Sequence, residues 1–358
     1  MIYNCKYISG VIQQEYMSKP FNVVQFGFGS LGKSIAMAII NRSNLHLVGL
    51  IDIDPEYVGK NVEDVLSISG DTKTKIYPNL DSLLKVVKSP IDVSVIATSS
   101  SLKVVKPSII ESMRAGMNVI SICEELSFPF NRHPKLSVEL DSKAKELNKT
   151  VLGTGINPGY LMDLLPIVLT APCQTVETIT VTRHMNSSHR RFSFQKKIGT
   201  GMTQNEFRKN IDEGHITGHV GLVESIRMID SALNLGLDKI EELPPEAVVA
   251  DEAIANSFAT IKKGNVLGLK STGLGKKNGK TVVRLDFLAY AEADPQYDEI
   301  VIEGLPKIHQ RIEGGVQGDY STIAMILNLI PMLGSTGPGL VTMKDIPVPR
   351  NTERIFKN

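Results

Sequence analysis

Cysteine, net charge and long apolar runs are all scarce in this chain, and each shortage removes a class of protein. Three cysteines, Cys5, Cys123 and Cys173, occur in 358 residues. Odd in number and widely spaced, they match neither a disulfide framework nor a structural zinc site. Cys123 therefore reads as a buried small residue before it reads as a nucleophile. The formal net charge is only +1, with no basic stripe and no interleaving of aromatic and basic residues, so nucleic acid is not an expected partner. No apolar run approaches the roughly 18 residues that span a bilayer, and the N-terminal segment lacks a signal peptide's continuous hydrophobic block. The expectation is a cytoplasmic protein without a membrane partner. Internal repeats and low-complexity segments are also missing, which argues against a solenoid or a disordered linker.

What remains is a chain of ordinary globular composition. It is 42% hydrophobic, has a mean hydropathy near zero, and is long enough for two domains with separate cores. Residues 1–19 show no clear period and read as an extension, with Met17 a second plausible start. From residue 20 to 156, β and α signals alternate: strands near 21–26, 46–52, 91–97, 118–122 and 150–152, helices near 31–42, 80–88, 101–115 and 135–148. Alternation of this kind implies a doubly wound parallel sheet, whose ligands lie beyond the carboxyl ends of the strands. Residues 157–317 turn to longer β-rich stretches, at Thr178 to Arg183, Val266 to Leu274 and Thr281 to Tyr290, around a helix near 219–235. That pattern predicts a separate α+β domain. Residues 318–358 give an apolar helix and a Pro/Gly-rich tail expected to return to the first domain.

The most specific motif follows the first strand. Gly27-Phe28-Gly29-Ser30-Leu31-Gly32 is a G-x-G-x-x-G turn that opens a helix with an apolar face. Gly27 permits a tight turn, Gly29 lets backbone approach a pyrophosphate, and Gly32 allows close packing behind the helix N-terminus. Twenty residues beyond Gly32, the second strand ends in Asp52, an acid placed to accept hydrogen bonds from an adenosine ribose. Its charge would repel a 2′-phosphate and favours NAD, unless Arg42 or Lys60 offsets the repulsion. NAD and NADP both remain open.

Other strand ends carry chemistry too. Thr98-Ser99-Ser100-Ser101 either caps the next helix or lets a nicotinamide ribose lie against the backbone, and the two roles are compatible. Cys123-Glu124-Glu125 ends the fourth strand, where adjacent acids are costly unless solvated or used. A carboxylate there suits a general acid and base beside a carbon that exchanges hydride. Glu124, the first off the strand, is the candidate, while Glu125 caps or pairs at the surface. Gly153 to Gly159 leads from the last strand towards a helix near Tyr160. Asn157 there either contacts nicotinamide or substrate or belongs to a plain hinge. His215 and His219 stand four apart, but Gly214 and Gly218 break the helix a metal pair would need, so no metal is expected. His219, at the start of the next helix, either hydrogen-bonds a polar substrate or caps that helix.

Taken together these segments resemble the 2,4-diaminopentanoate dehydrogenases and the native amine dehydrogenases, distant kin of dihydrodipicolinate reductase. The resemblance runs from about residue 20 to the end. Besides the glycine turn and Cys123-Glu124-Glu125, it rests on Gly153 to Gly159 followed by Leu161-Met162-Asp163, on Gly218-His219-Val220-Gly221, and on Gly314-Gly315-Val316-Gln317-Gly318-Asp319. It implies a Rossmann-type sheet with an α+β substrate and dimerisation domain, and a homodimer that oxidatively deaminates an amine with NAD or NADP. It also implies a catalytic acid at Glu124, with Asn157 and His219 lining the pocket. Dihydrodipicolinate reductase itself fits less well, since its reaction is associated with adjacent histidines and no two histidines adjoin here. Reduction of a cyclic imine or ketone on the same scaffold is the alternative enzyme. A nucleotide-sensing protein without turnover would leave the adjacent acids unexplained.

Overall fold

The computed structural model describes residues 19–68, 74–188, 190–255 and 258–353, so the expected N-terminal extension, Met17 included, lies outside the described residues apart from Lys19. Two compact units form, one ending at Gly155 and resuming at Thr322, the other Ile156–Ser321. The first carries β1 (Phe21–Phe26), α1 (Ser30–Ile40), β2 (Leu45–Ile51), α2 (Val62–Leu66), β3 (Ile76–Tyr77), α3 (Leu80–Val86), β4 (Val93–Ile96), α4 (Leu102–Arg114), β5 (Asn118–Ser121), α5 (Pro134–Glu146) and β6 (Thr150–Gly153). The second carries α6 (Leu164–Leu169), β7 (Thr175–Asn186), α7 (Phe192–Lys197), α8 (Gln204–Asp212), α9 (Leu222–Leu233), β8 (Lys239–Glu242) and β9 (Glu246–Val249). It continues through the short pair β10 (Ile254–Ala255) and β11 (Thr260–Ile261) to β12 (Val266–Lys277), β13 (Lys280–Tyr290), β14 (Tyr297–Leu305) and β15 (Ile308–Glu313). Then α10 (Gly318–Leu333) and β16 (Gly339–Val341) follow.

In the first unit the sheet order is β16-β6-β5-β4-β1-β2-β3, with every pair parallel. Strands covered on both faces must be apolar almost throughout, and β1, β4 and β6 are buried along nearly their whole length. Chain order reverses between β1 and β4. Their carboxyl ends, Gly27 onward and Thr98 onward, therefore flank the switch point at which such sheets bind ligands. The doubly wound class read from the alternation is the class observed.

The second unit is a mixed sheet in the order β15-β14-β7-β13-β12-β8, where β7 and β13 run parallel and the other neighbours antiparallel. Burial alternates along β7, so one face packs a core: Ile179 and Val181 lie with Leu285 and Ile300 against Leu222, Ile226 and Ile229 of α9.

Two helix starts differ from those expected. The helix anticipated near Tyr160 begins at Leu164, and the one anticipated at Val220 begins at Leu222 because Gly221 sits at φ 114°, outside the helical range. One buried side chain accounts for the first difference. Asp163 is fully buried, and its carboxylate accepts the Gly159 N–H at 2.8 Å, the Leu164 N–H at 2.7 Å and the Ser225 hydroxyl at 2.8 Å. It thereby holds residues 159–163 as a turn and ties α6 to α9. Asp163→Asn replaces an acceptor oxygen with a donor facing donors, and should lower unfolding free energy by about 1–3 kcal/mol in a urea titration.

Candidate functional site

The glycine turn is built by packing as well as by φ. Gly27 adopts φ 97°, and a Cβ there would lie 2.6 Å from the Ala97 carbonyl oxygen on the neighbouring strand. A Cβ on Gly32 would come within 2.3 Å of the Gly27 carbonyl oxygen. Gly29 differs, since nothing stands within 4 Å of its Cβ position and its backbone is extended. It borders open space at the start of α1, where the Ser30, Leu31 and Gly32 amides have no hydrogen-bond acceptor among the described residues. An open, donor-rich helix start suits a pyrophosphate. Phe28, by contrast, is fully buried and stacks edge-on against Tyr57. Gln25 was not singled out from the sequence. Its buried amide donates to both the Gly27 and Gly32 carbonyl oxygens at 2.8 Å, clasping the turn from beneath. A polar residue flanked by the apolar Val23, Val24 and Phe26 of the strand was the available signal.

Asp52 faces this turn. Its carboxylate accepts the Phe28 N–H at 2.6 Å and the Asp54 N–H at 2.9 Å, so it joins the glycine turn to the end of β2 while keeping lone pairs for a ribose. Arg42, offered above as a counter-charge for a 2′-phosphate, is placed elsewhere. It is buried, and donates to Asn328 at 2.7 Å and to Thr352, anchoring the chain's last described segment. Lys60 is exposed. Thr98 is exposed beside Gly27, and Ser99 accepts the Ser101 N–H through its hydroxyl at 3.1 Å. Ser101, at the N-cap of α4, makes no side-chain cap; the capping oxygen comes from a different segment.

That oxygen belongs to Glu125. Its carboxylate accepts the Leu102 N–H and meets His133 Nε2, both at 2.8 Å, with Arg132 at 3.2 Å. Burial would push this carboxyl up, but the hydrogen bonds from Leu102 and His133 and the charge of Arg132 together bring it below its ordinary value. Glu125 is thus a cap and an ion pair, though inside the protein and not at the surface as expected. Glu124, half-buried in the turn after β5, has no hydrogen-bond or ion-pair partner for its carboxylate among the described residues. Cys123 is buried and its thiol is pushed up to about 12 by burial, which leaves it un-ionised.

In the second unit the structure brings Asn157 and His219 together. The Asn157 amide nitrogen lies 2.8 Å from His219 Nε2 and 3.0 Å from Met162 Sδ, while Asn157 Oδ1 is buried without a partner. The contact joins the Asn157 side-chain amide to the Nε2 edge of the imidazole. The ring stacks on Phe287 at 4.1 Å, and the His219 N–H bonds the Ser271 hydroxyl at 3.0 Å. Burial, reinforced by the positive fields of Lys197 and Arg183, pushes His219 down to about 3. Gly218 and Gly221 make this possible. A Cβ on the first would crowd Ser271 Oγ at 2.8 Å, and one on the second would crowd Pro158 at 2.6 Å. His219 therefore lies in a turn before α9 and not in the helix. His215 is exposed and lies 3.3 Å from Glu213, and no cluster of three or more metal-type ligands occurs among the described residues. Nor is any helix among them long and apolar enough to cross a membrane.

A switch-point glycine turn on a parallel sheet, joined in the chain to an α+β unit, defines a two-domain nucleotide-dependent dehydrogenase class. Residues 160–358 match the model of the 2,4-diaminopentanoate dehydrogenase C-terminal domain, and residues 18–126 that of a CoA binding domain. A 2,4-diaminopentanoate dehydrogenase from Acetoanaerobium sticklandii is 32% identical over 92% of this chain and 94% of its own. The chain belongs to the 2,4-diaminopentanoate dehydrogenase family and is an oxidoreductase using a cofactor of the NAD(P) class. An amine dehydrogenase structure from Mycobacterium smegmatis superposes with TM-score 0.79 at 20% identity, covering 95% of this chain and 99% of its own. A myo-inositol 2-dehydrogenase from Lactobacillus plantarum reaches 0.52 at 16% identity, covering 91% and 93%. Both share the fold.

The two acids should separate in a stability assay. Glu125→Ala is expected to cost about 2–4 kcal/mol, because it strands a helix amide and a buried histidine, whereas Glu124→Gln should stay within about 0.5 kcal/mol. The Glu125 contribution, present at neutral pH, should fade as acid protonates the carboxyl, narrowing the gap between Glu125→Ala and parent below about pH 4.5. For His219, the ring's NMR shifts should stay those of the neutral imidazole from pH 8 to about pH 4, where an ordinary histidine would titrate near 6.5.

Proposed function

We propose that the protein catalyses NAD(P)-dependent oxidative deamination of a small amine-bearing acid, 2,4-diaminopentanoate to 2-amino-4-oxopentanoate and ammonia, running reversibly as reductive amination. The observation that carries this is the division between neighbouring acids: Glu125 is engaged by Leu102, His133 and Arg132, and the Glu124 carboxylate has no partner among the described residues. Family membership supplies the reaction class.

The residues present fit a dinucleotide. Gly29 leaves the space, the α1 amides leave donors for the pyrophosphate, and Asp52 retains acceptor capacity for the ribose, with Thr98 and Ser99 at the facing strand end. With Arg42 engaged elsewhere, the charge at Asp52 favours NAD over NADP. Bound NAD(P)+ supplies the hydride acceptor. Glu124 then takes a proton from the water that adds to the iminium carbon, forming the C–O bond of a carbinolamine. It returns that proton to nitrogen and then takes the hydroxyl proton as the C–N bond breaks, so that ammonia leaves and the carbonyl forms. Neutral His219 and Asn157, with its unanswered Oδ1, orient the substrate by hydrogen bonds and add no net charge. The family resemblance also carries a cytoplasmic homodimer into the proposal.

A panel of amines and diamino acids with both cofactors, followed by NAD(P)H absorbance at alkaline pH, tests the activity. Glu124→Gln should lower kcat about 100- to 1000-fold with cofactor affinity unchanged, and turnover within a few-fold of the parent would remove Glu124 from this role. NAD(P)H oxidation with 2-amino-4-oxopentanoate that needs no ammonia would replace deamination with ketone reduction.

A further inference from the structure

Gly314 to Gln317, the first four residues of the glycine-rich run that ends at Asp319, line a cavity of about 240 Å³ in the second unit together with Arg183, Arg190, Gln296 and Asp298. Two of these charges stand on the face of the sheet that otherwise builds the core. Asp298 on β14 pairs in register with Arg183 on β7, Arg183 with Phe287 on β13, and Phe287 with Ser271 on β12. Side chains opposite one another in register leave the same face, so this row sets a carboxylate and a guanidinium beside the two residues that seat His219. The Arg183 charge already reaches the His219 ring.

Burying such groups is costly unless their donors and acceptors are answered. Here they are answered only in part. Arg183, 3% exposed, donates to the Val316 carbonyl oxygen, and its Nε lies 3.5 Å from Asp298 Oδ1, an ion pair without a hydrogen bond. Arg190 pairs with Asp319 at 3.0 Å and touches Met185 Sδ, and its Nε–H makes no hydrogen bond. Asp298 accepts the Val316 N–H at 2.7 Å. The glycine run serves this arrangement: Gly314 and Gly315 take φ 77° and 63° to bring Val316 between Arg183 and Asp298. A Cβ on Gly318 would press within 2.8 Å of Arg190 Nη1.

We propose that this cavity holds the amino-acid head group of the substrate, its carboxylate between Arg183 and Arg190 and its ammonium on Asp298. Guanidinium forks match a carboxylate's two oxygens, and Asp298 with Asp319, the partner of Arg190, offsets the two arginines, so the site suits a zwitterion where two arginines alone would select an anion. The assignment rests on the proposed amine oxidation for its substrate class, and it makes the cavity the element that separates diamino acids from simple amines.

Arg190→Gln tests it, with Arg190→Lys as a variant that keeps charge and fold but not the fork. Norvaline serves as a probe that needs no turnover. By calorimetry norvaline should bind the parent, and Arg190→Gln should weaken it roughly 100-fold, with Arg190→Lys intermediate. The kcat/KM for 2,4-diaminopentanoate should fall by a similar factor through KM, while that for pentan-2-amine changes less than about threefold. Equal losses on both amines, or norvaline binding that ignores both variants, overturn the proposal. A parent that oxidises no amine yet binds norvaline through Arg190 would remove the proposed activity and leave the cavity's role standing.

Discussion

The buried carboxylate of Asp163 is the interaction on which the second unit's site depends. A fully buried acid is tolerated only when its oxygens are answered, and here two backbone amides and a hydroxyl answer them. Those partners belong to the turn after Asn157, to the start of α6 and to α9. Fixing them fixes where Asn157 leaves the chain and where the segment before α9 must lie. The Pro158 ring then packs against Gly221, and the Asn157 amide meets His219. Two short motifs far apart in sequence are thereby one structure.

The first unit uses the same chemistry differently. Gln25 clasps the glycine turn from inside the sheet, Asp52 ties it to the next strand, and Glu125 caps a helix that its own segment does not begin. Each takes up backbone donors or acceptors that would otherwise be stranded. What is left uncommitted is informative by contrast. Asn157 Oδ1 and the Arg190 Nε–H are buried polar atoms without a hydrogen-bond partner among the described residues, and the Glu124 carboxylate has none either.

Much of the fold was legible in the sequence for a simple reason. Parallel strands buried on both faces must be apolar runs, and the helices between them must carry an apolar stripe, so alternation was visible without coordinates. The glycine turn was legible because only glycine tolerates those approaches and that φ. Less visible were the starts of α6 and α9, which Asp163 and the left-handed backbone of Gly221 decide. The place of Arg42 was not legible either. Near a nucleotide turn it reads as a counter-charge, and only the return of the chain to Asn328 and Thr352 shows that it is a buried anchor.

By itself the sequence determined the sheet class, the glycine turn with Asp52 at the next strand end, and the pair of adjacent acids after the fourth strand. These follow from local periodicity and from conformations that few residues can adopt. The tertiary structure decided which acid was spent, which histidine nitrogen faces Asn157, and that Asp298, Arg183, Phe287 and Ser271 form one row. Such facts depend on strand register and on partners more than a hundred residues apart, as Arg183 is from both Phe287 and Asp298. A local pattern carries no record of them, because register is set by how whole faces pack and not by any residue's neighbours in the chain.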